Sequence, residues 1–390
     1  MTGLLQSAQY RIINAVGYAT RIGGSKPDEL VLQAMIESHK HYYEIDDLLG
    51  MASKKIATIT GAEAGLVTSS ASAALTLGAA AVLAGDNLEI MDRLPDVSGI
   101  SRNTFLYPVS DSYDYDHPIR CSGAKLKVFS FESNQLEERL LSELDESIAG
   151  VVYVWQHRDE SCIISRVAAV CRSAGVPFLV DAAMSLPPSE NLRGLIALGP
   201  NLLALSGGKH LGGPQNSGVL FGDAPLIRSA WLQMVDMDVR ADSWSRSDLI
   251  SQNILSRPPR HGVGRGFKVG KDTILGCLAA LEAYPGRDFA GERKRWNRHC
   301  REIATEVRPS SALRITHLPE NSTGQYPVVE VRAGSPETMK ALKLHLKSQT
   351  PKIILAEDAV NNAVAYIYPM CLEESDIGEI LNRMASFQSV

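Results

Sequence analysis

Residues 150–183 read GVVYVWQHRDESCIISRVAAVCRSAGVPFLVDAA. An unbroken apolar run, GVVYVW, is followed by a helical pattern, IISRVAAVCRSAG at 163–175. A second apolar run, VPFLV, then ends on Asp181. Runs this short and this uniformly apolar suit strands buried on both faces. Two such strands joined through a helix form a βαβ crossover, the connection that a parallel sheet requires.

The same alternation extends in both directions. Upstream, AGLVTSS (64–70) reads as a strand and SAALTLGAAAVLAG (72–85) as a small-residue, largely buried helix. GAKLKVFS (123–130) reads as a strand and FESNQLEERLLSEL (131–144) as an amphipathic helix. Downstream, a short helix near NLRGLIALG (191–199) precedes the apolar runs NLLALSGGKH (201–210) and NSGVLFG (216–222). The pattern predicts an α/β fold with a mostly parallel sheet covered by helices on both faces.

Residues 91–120 break the rhythm. They are polar, aromatic and turn-rich, and they read as a long functional or disordered loop. After Arg257 the texture changes again. PPRHGVGRGFKVGK (258–271) reads as a loop and TILGCLAALEAY (273–284) as a helix. YPVVEVRA and AVAYIY are strand-like runs of an α+β end domain. At the other end, residues 1–25 read as an arm containing Gly17, Gly23 and Gly24. A helix is expected from about Lys26 to Tyr43, opening with Pro27, Asp28 and Glu29, and another from about Asp46 to Gly61. The expected organisation is an arm and helix over 1–45, a large α/β domain over 46–256 and a small domain over 257–390.

Composition fits this picture. The 390 residues are 45% hydrophobic and 21% charged, with a net charge of −5. That is the balance of a soluble globular protein with no basic footprint for a nucleic acid. No window reaches the roughly 18 uninterrupted apolar residues of a membrane span, and the N-terminus lacks a secretory signal pattern. Cys121, Cys162, Cys171, Cys277, Cys300 and Cys371 are scattered, with no C-x-x-C pair. A reduced, cytoplasmic protein is expected.

In a doubly wound sheet, ligands bind at the carboxyl ends of the strands. Four groups of polar residues follow apolar runs. TSSASAA (68–74) opens a helix whose free N–H groups could attract a phosphate; simple N-capping by serine reads the same way. Asp181 is a strand-end carboxylate that needs a cationic partner, such as a protonated heterocycle, or serves as an N-cap. Lys209 follows Gly207 and Gly208. It is either a desolvated amine able to form a Schiff base or a surface lysine in a turn. Gln156 and His157 end GVVYVW and would face the same cleft, or be satisfied within the core. In chain order the four make a phosphate cradle, a polar strand end, a carboxylate and a lysine, the set that pyridoxal 5′-phosphate requires.

With these residues in place, the chain resembles the fold-type I pyridoxal-phosphate enzymes, specifically the selenocysteine synthase-like branch. SGGKHLGGPQNSGVLFG (206–222) is similar to that branch's segment around its Schiff-base lysine. INAVGYATRIGG (13–24) and TGAEAGLVTSSASAAL (60–75) resemble two more of its segments. MDRLPDVSGI (91–100), YDHPIRCSGAKL (115–126), MDVRADSW (237–244) and GRGFKVGKDTILGCLAALEAY (264–284) are similar to the group within the branch that includes D-glucosaminate-6-phosphate ammonia-lyases. The likeness runs from about residue 12 to about residue 285 and is loose beyond.

The resemblance implies a seven-stranded, mostly parallel sheet, a smaller C-terminal domain and an N-terminal arm. It implies that Lys209 carries the Schiff base and acts as acid and base, while Asp181 pairs with the pyridine nitrogen. Ser70, Ala71 and Ser72 cradle the phosphate, and Ser206 adds a hydroxyl. Ala183 lies against a ring face, and Gln156 or His157 lies near the phenolic oxygen. Arg93, Arg265 and Lys268 are the candidates to bind an anionic substrate group. Because such sites lie at dimer interfaces, Gly213 in GGPQ and residues near Tyr18 are expected to serve a neighbouring subunit of a homodimer or larger homo-oligomer. The implied reaction on a small amino substrate, an amino acid or amino sugar acid, is an elimination through a Cα quinonoid. Racemisation, aldol cleavage, group transfer or a silent phosphate-binding relative are the alternatives.

The chain also departs from the branch. Gly208 and His210 flank the lysine where the synthase pattern has Asp and Leu, and QHRDESCIISRVAAV (156–170) is unlike the corresponding stretch. The N-terminal similarity begins at residue 12, so no RNA-binding domain is expected ahead of it. His39 and His41 stand two apart on a predicted helix and so point to different faces, as for solvated residues rather than metal ligands. GVGRGF follows a proline loop and not a strand, a poor dinucleotide fingerprint.

Overall fold

The computed structural model describes residues 10–108, 115–132, 134–155, 160–307, 312–320 and 326–387. Its twelve strands are β1 (Ile12–Ala15), β2 (Ala64–Thr68), β3 (Thr104–Pro108), β4 (Lys125–Phe129), β5 (Ile148–Val154), β6 (Phe178–Asp181), β7 (Leu202–Ser206), β8 (Gly218–Gly222), β9 (Leu313–Leu318), β10 (Val328–Ala333), β11 (Lys352–Glu357) and β12 (Val364–Ile367). Contacts divide the chain into two compact units, Pro27–Gly286 and Met1–Lys26 with Arg287–Val390.

The larger unit is built on a seven-stranded sheet in the order β2-β8-β7-β6-β5-β3-β4. β8 runs antiparallel to β2 and β7, and the remaining pairings are parallel. Every residue of β5 and β6 is buried, as the apolar runs require. The helix Ala71–Ala84 carries buried side chains around its whole circumference, the mark of an enclosed helix. Its Gly78 lies against the sheet, where an added Cβ would be 3.4–3.5 Å from Leu179, Leu202 and Leu220. Small side chains bring this helix, and its N-terminus, close to the strand ends.

The stretch 91–120 is not one long loop. β3 lies within it, between β5 and β4, with Phe105, Leu106 and Tyr107 buried. Helices Leu88–Arg93 and His117–Cys121 flank it. Five strand residues bounded by polar turns are too few to show a period, and only the two neighbouring strands identify them. The helix expected from Lys26 to Tyr43 is shorter, Glu29–Ser38, while the next runs Ile45–Thr60 and ends on Gly61 with φ 81°. A C-terminal glycine in the left-handed region is a common helix stop.

The smaller unit carries a five-stranded sheet, β1-β11-β12-β10-β9. β1 comes from the segment read as an arm and pairs in parallel with β11. Ile13 and Ala15 of β1 join a core with Val329, Val331, Leu342 and Ile380.

The strand assignment of β3 has a measurable consequence. Leu106 is fully buried, so Leu106→Ala should cost about 2–5 kcal/mol in urea unfolding. A loop position would lose less than about 0.5 kcal/mol, and that result would remove β3 from the sheet.

Candidate active site

The strand register gathers the polar residues at one edge. Asp181 ends β6, opposite Val154 at the end of β5 and Ala204 in β7. Across the sheet, Gly218 pairs with both Thr68, the last residue of β2, and Ser206, the last of β7. Three parallel strands therefore end beside one another on Asp181, Ser206 and Thr68, with Gly218 opening the antiparallel strand between the last two.

Asp181 is buried, and one carboxylate oxygen accepts the Ala183 N–H at 3.0 Å. Burial raises its pKa; the Ala183 N–H and the charge of Lys209 oppose the rise. Lys209 shows the converse. Burial lowers its pKa and the Asp181 carboxylate opposes that fall. Sequence alone left Lys209 open between a desolvated amine and a surface lysine. In the structure Lys209 is half-buried and within electrostatic reach of Asp181.

The lysine loop is fastened by its own backbone. Gly207 N–H donates to Ser217 O at 2.9 Å, Gly213 N–H to Gly207 O at 2.8 Å and Gly212 N–H to Lys209 O at 3.0 Å. Ser217 Oγ donates to Pro214 O at 2.6 Å. A Cβ on Gly207 would fall 1.9 Å from Ser217 Oγ, and one on Gly208 would fall 2.5 Å from Gln215 Cα. No side chain fits at either position, so these glycines are required for chain approach.

Ser70 caps the helix Ala71–Ala84, its Oγ accepting the Ala73 N–H at 3.0 Å. The capping interpretation of the serines is thus realised at Ser70. In a helix start of this geometry the N–H groups of Ala71 and Ser72 have no intrahelical acceptor and can meet an anion. Gly218 determines how close β8 comes to this start: a Cβ there would be 2.3 Å from Ser70 C and 2.6 Å from Ala71 N. Gly218 was not singled out from the sequence. Its signal was a glycine opening an otherwise apolar strand, which marks close backbone approach.

The other expected residues have the following surroundings. Gln156 and His157 lie outside the described residues. Arg265 is bound to Asp236 at 2.5 Å. Arg265 and Lys268 line a cavity of about 690 Å³ with Asp46 and Trp244, and neither Asp181 nor Lys209 is among its lining residues. Arg93 donates to Ser98 O and pairs with Asp96 at 3.9 Å. Tyr18 belongs to the smaller unit, where burial holds its phenol well above the ordinary pKa. Asp236, Asp238 and His261 form an exposed cluster in which His261 Nε2 already accepts the Met237 N–H.

A carboxylate for a ring nitrogen, an amine for an aldehyde and a helix start for a phosphate fit pyridoxal 5′-phosphate. No protein-family model matches the chain. It is 27% identical over 285 residues to D-glucosaminate-6-phosphate ammonia lyase of Salmonella typhimurium (strain 14028s / SGSC 2262), covering 70% of this chain and 68% of that one. It is 26% identical over 283 residues to 5′-C-glycyluridine monooxygenase-decarboxylase of a Streptomyces sp, covering 70% and 63%, under two thirds of that relative's length. A solved D-glucosaminate-6-phosphate ammonia-lyase superposes with a TM-score of 0.76 at 22% identity, over 99% of this chain and 98% of the other. An SPT solved with its PLP internal aldimine superposes at 0.57 and 13% identity, over 96% and 86%. The fold is that of the fold-type I pyridoxal-phosphate enzymes. Within that fold the chain is similar in sequence to D-glucosaminate-6-phosphate ammonia lyase.

Two outcomes test this geometry. Asp181→Asn removes the charge that holds the Lys209 pKa up, so the pH midpoint for reaction of Lys209 with an amine reagent, in cofactor-free protein, should fall. A rise or no change would separate the two residues. Gly218→Ala should weaken pyridoxal 5′-phosphate binding about tenfold or more in an absorbance titration.

Proposed function

We propose that this chain is a lyase that eliminates ammonia from a small amino acid or amino sugar acid, with the site residues in the following roles. The carrying observation is the buried Asp181 at a strand end with the half-buried Lys209 within its electrostatic reach, in a chain similar to an ammonia lyase. When bound, pyridoxal 5′-phosphate supplies an electron sink for the bonds of the substrate's Cα. Lys209 Nζ would hold the cofactor and, once free, would be the base for the substrate's Cα proton. Its lowered pKa leaves more of the amine neutral near pH 7, the form that can attack and accept a proton.

Asp181 keeps a proton on the ring nitrogen by remaining ionised beside it. The N–H groups of Ala71 and Ser72 and the hydroxyls of Ser70 and Ser206 would hold the phosphate, and Ala183 would support a ring face. Gln156 or His157 is proposed to serve the phenolic oxygen. On a 2-amino-3-hydroxy acid, proton removal at Cα expels the β-hydroxyl as water. Hydrolysis of the resulting enamine consumes one water and releases ammonia and a keto acid, so the net loss is ammonia.

Arg93, Arg265 and Lys268 are the cations proposed for an anionic substrate group, and Gly213 and Tyr18 are proposed to serve a neighbouring copy in a homo-oligomer. Among the described residues no helix is long and apolar enough to cross a membrane, and a cytoplasmic location is proposed. A decarboxylation is the second reading, favoured by the match to a monooxygenase-decarboxylase.

Borohydride should fix the cofactor to Lys209 in wild type, and Lys209→Ala should lose both the adduct and turnover. A panel of D- and L-amino acids and phosphorylated amino sugar acids should give keto acid and ammonia in equal amounts. Carbon dioxide, aldehyde or racemised substrate in place of keto acid would overturn the elimination.

A further inference from the structure

His210, the residue after Lys209, is only 2% exposed, and its Nδ1 lies 2.6 Å from the hydroxyl of the fully buried Tyr284. The rings meet edge to face, 5.6 Å between centroids and 85° between planes. Tyr284 follows the last residue of the helix Lys271–Ala283, and this helix supports the whole lysine loop. A Cβ on Gly276 would be 2.8 Å from Pro214 Cγ, and one on Gly213 would be 3.4 Å from Ala280 Cβ. The Cys277 thiol, its pKa pushed up to about 12 by burial, lies beside the Ser217 side chain, which opposes that rise. Residues 276, 280 and 284 share one face by their spacing of four. That face contacts the loop at Pro214, Gly213 and His210 in turn.

Lys209 and His210 are consecutive in a tight turn. Anchoring the second side chain in the interior fixes the direction in which the first leaves the backbone. We propose that His210 is a positioning residue for Lys209: its hydrogen bond to Tyr284 sets the direction of Lys209 Nζ relative to Asp181. The proposal rests on Lys209 being the cofactor-bearing amine. A histidine that merely filled space would be replaceable by leucine, whereas a positioning histidine needs its Nδ1.

The test uses holoenzyme with His210→Leu, His210→Asn and Tyr284→Phe, the last removing a single oxygen. Asparagine places an amide near the position of Nδ1 and can keep the bond. The Leu and Phe variants should still be fixed by borohydride at Lys209. The pH midpoint of their visible cofactor absorbance should move by about half a unit or more, and kcat should fall about tenfold with KM within about twofold. The Asn variant should restore the wild-type midpoint. The double Leu and Phe variant should be no worse than either single one, as for two partners in one bond. Unmoved midpoint and kcat in Tyr284→Phe, or a change confined to melting temperature, would overturn the proposal. If wild type itself shows no borohydride adduct at Lys209, the premise about the lysine is what has failed.

Discussion

A buried carboxylate, Asp181, and a half-buried amine, Lys209, share the carboxyl edge of the central strands. Alone, either charge would cost several kcal/mol to bury, and each would tend toward its neutral form. Each instead opposes the shift that burial imposes on the other, and the Ala183 N–H adds to the support of Asp181. Burial pulls the amine's pKa down, and the carboxylate limits that fall. The carboxylate is held ready to pair with a cation. Both conditions depend on how far each residue stands from solvent and from the other, so the surrounding architecture acts mainly by fixing position.

Two devices do this, and both are made of small residues. On one side, an alanine-rich helix packs so closely on the sheet that its first turn reaches the strand ends, with Gly218 admitting the strand beside it. On the other, the lysine loop folds onto itself through Gly207 and Gly213 and rests on the helix Lys271–Ala283. Gly276 of that helix is also where a Cβ would meet Met35, in the helix Glu29–Ser38. The loop's support therefore extends two layers away from the chemistry.

The proposed reading assigns chemistry and specificity to different parts of the chain. The strand-end residues suit any reaction at an amino-bearing carbon, which is consistent with matches to both a lyase and a monooxygenase-decarboxylase. Arg265, a candidate for the substrate's anion, is already occupied by Asp236. An incoming anion there must displace or share that carboxylate, a constraint that no inspection of Arg265 alone would show.

The crossover order, the enclosed helix and the candidacy of Asp181 and Lys209 were legible in the sequence because each rests on local patterning. A run of apolar residues, a run of small ones, or a charge at the end of a strand can be recognised without knowing its neighbours. β3 was not legible, because Thr104–Pro108 becomes a strand only between β4 and β5. Nor was the pairing of Ile12–Ala15 with Lys352–Glu357, from opposite ends of the chain. The close approach of Gly218 to Ser70 and the bond from His210 to Tyr284 likewise exist only when distant segments meet. Hydrogen-bond partners and interatomic distances belong to pairs of segments. The sequence can therefore nominate residues for the chemistry, while the tertiary structure decides which of them stand within reach of each other.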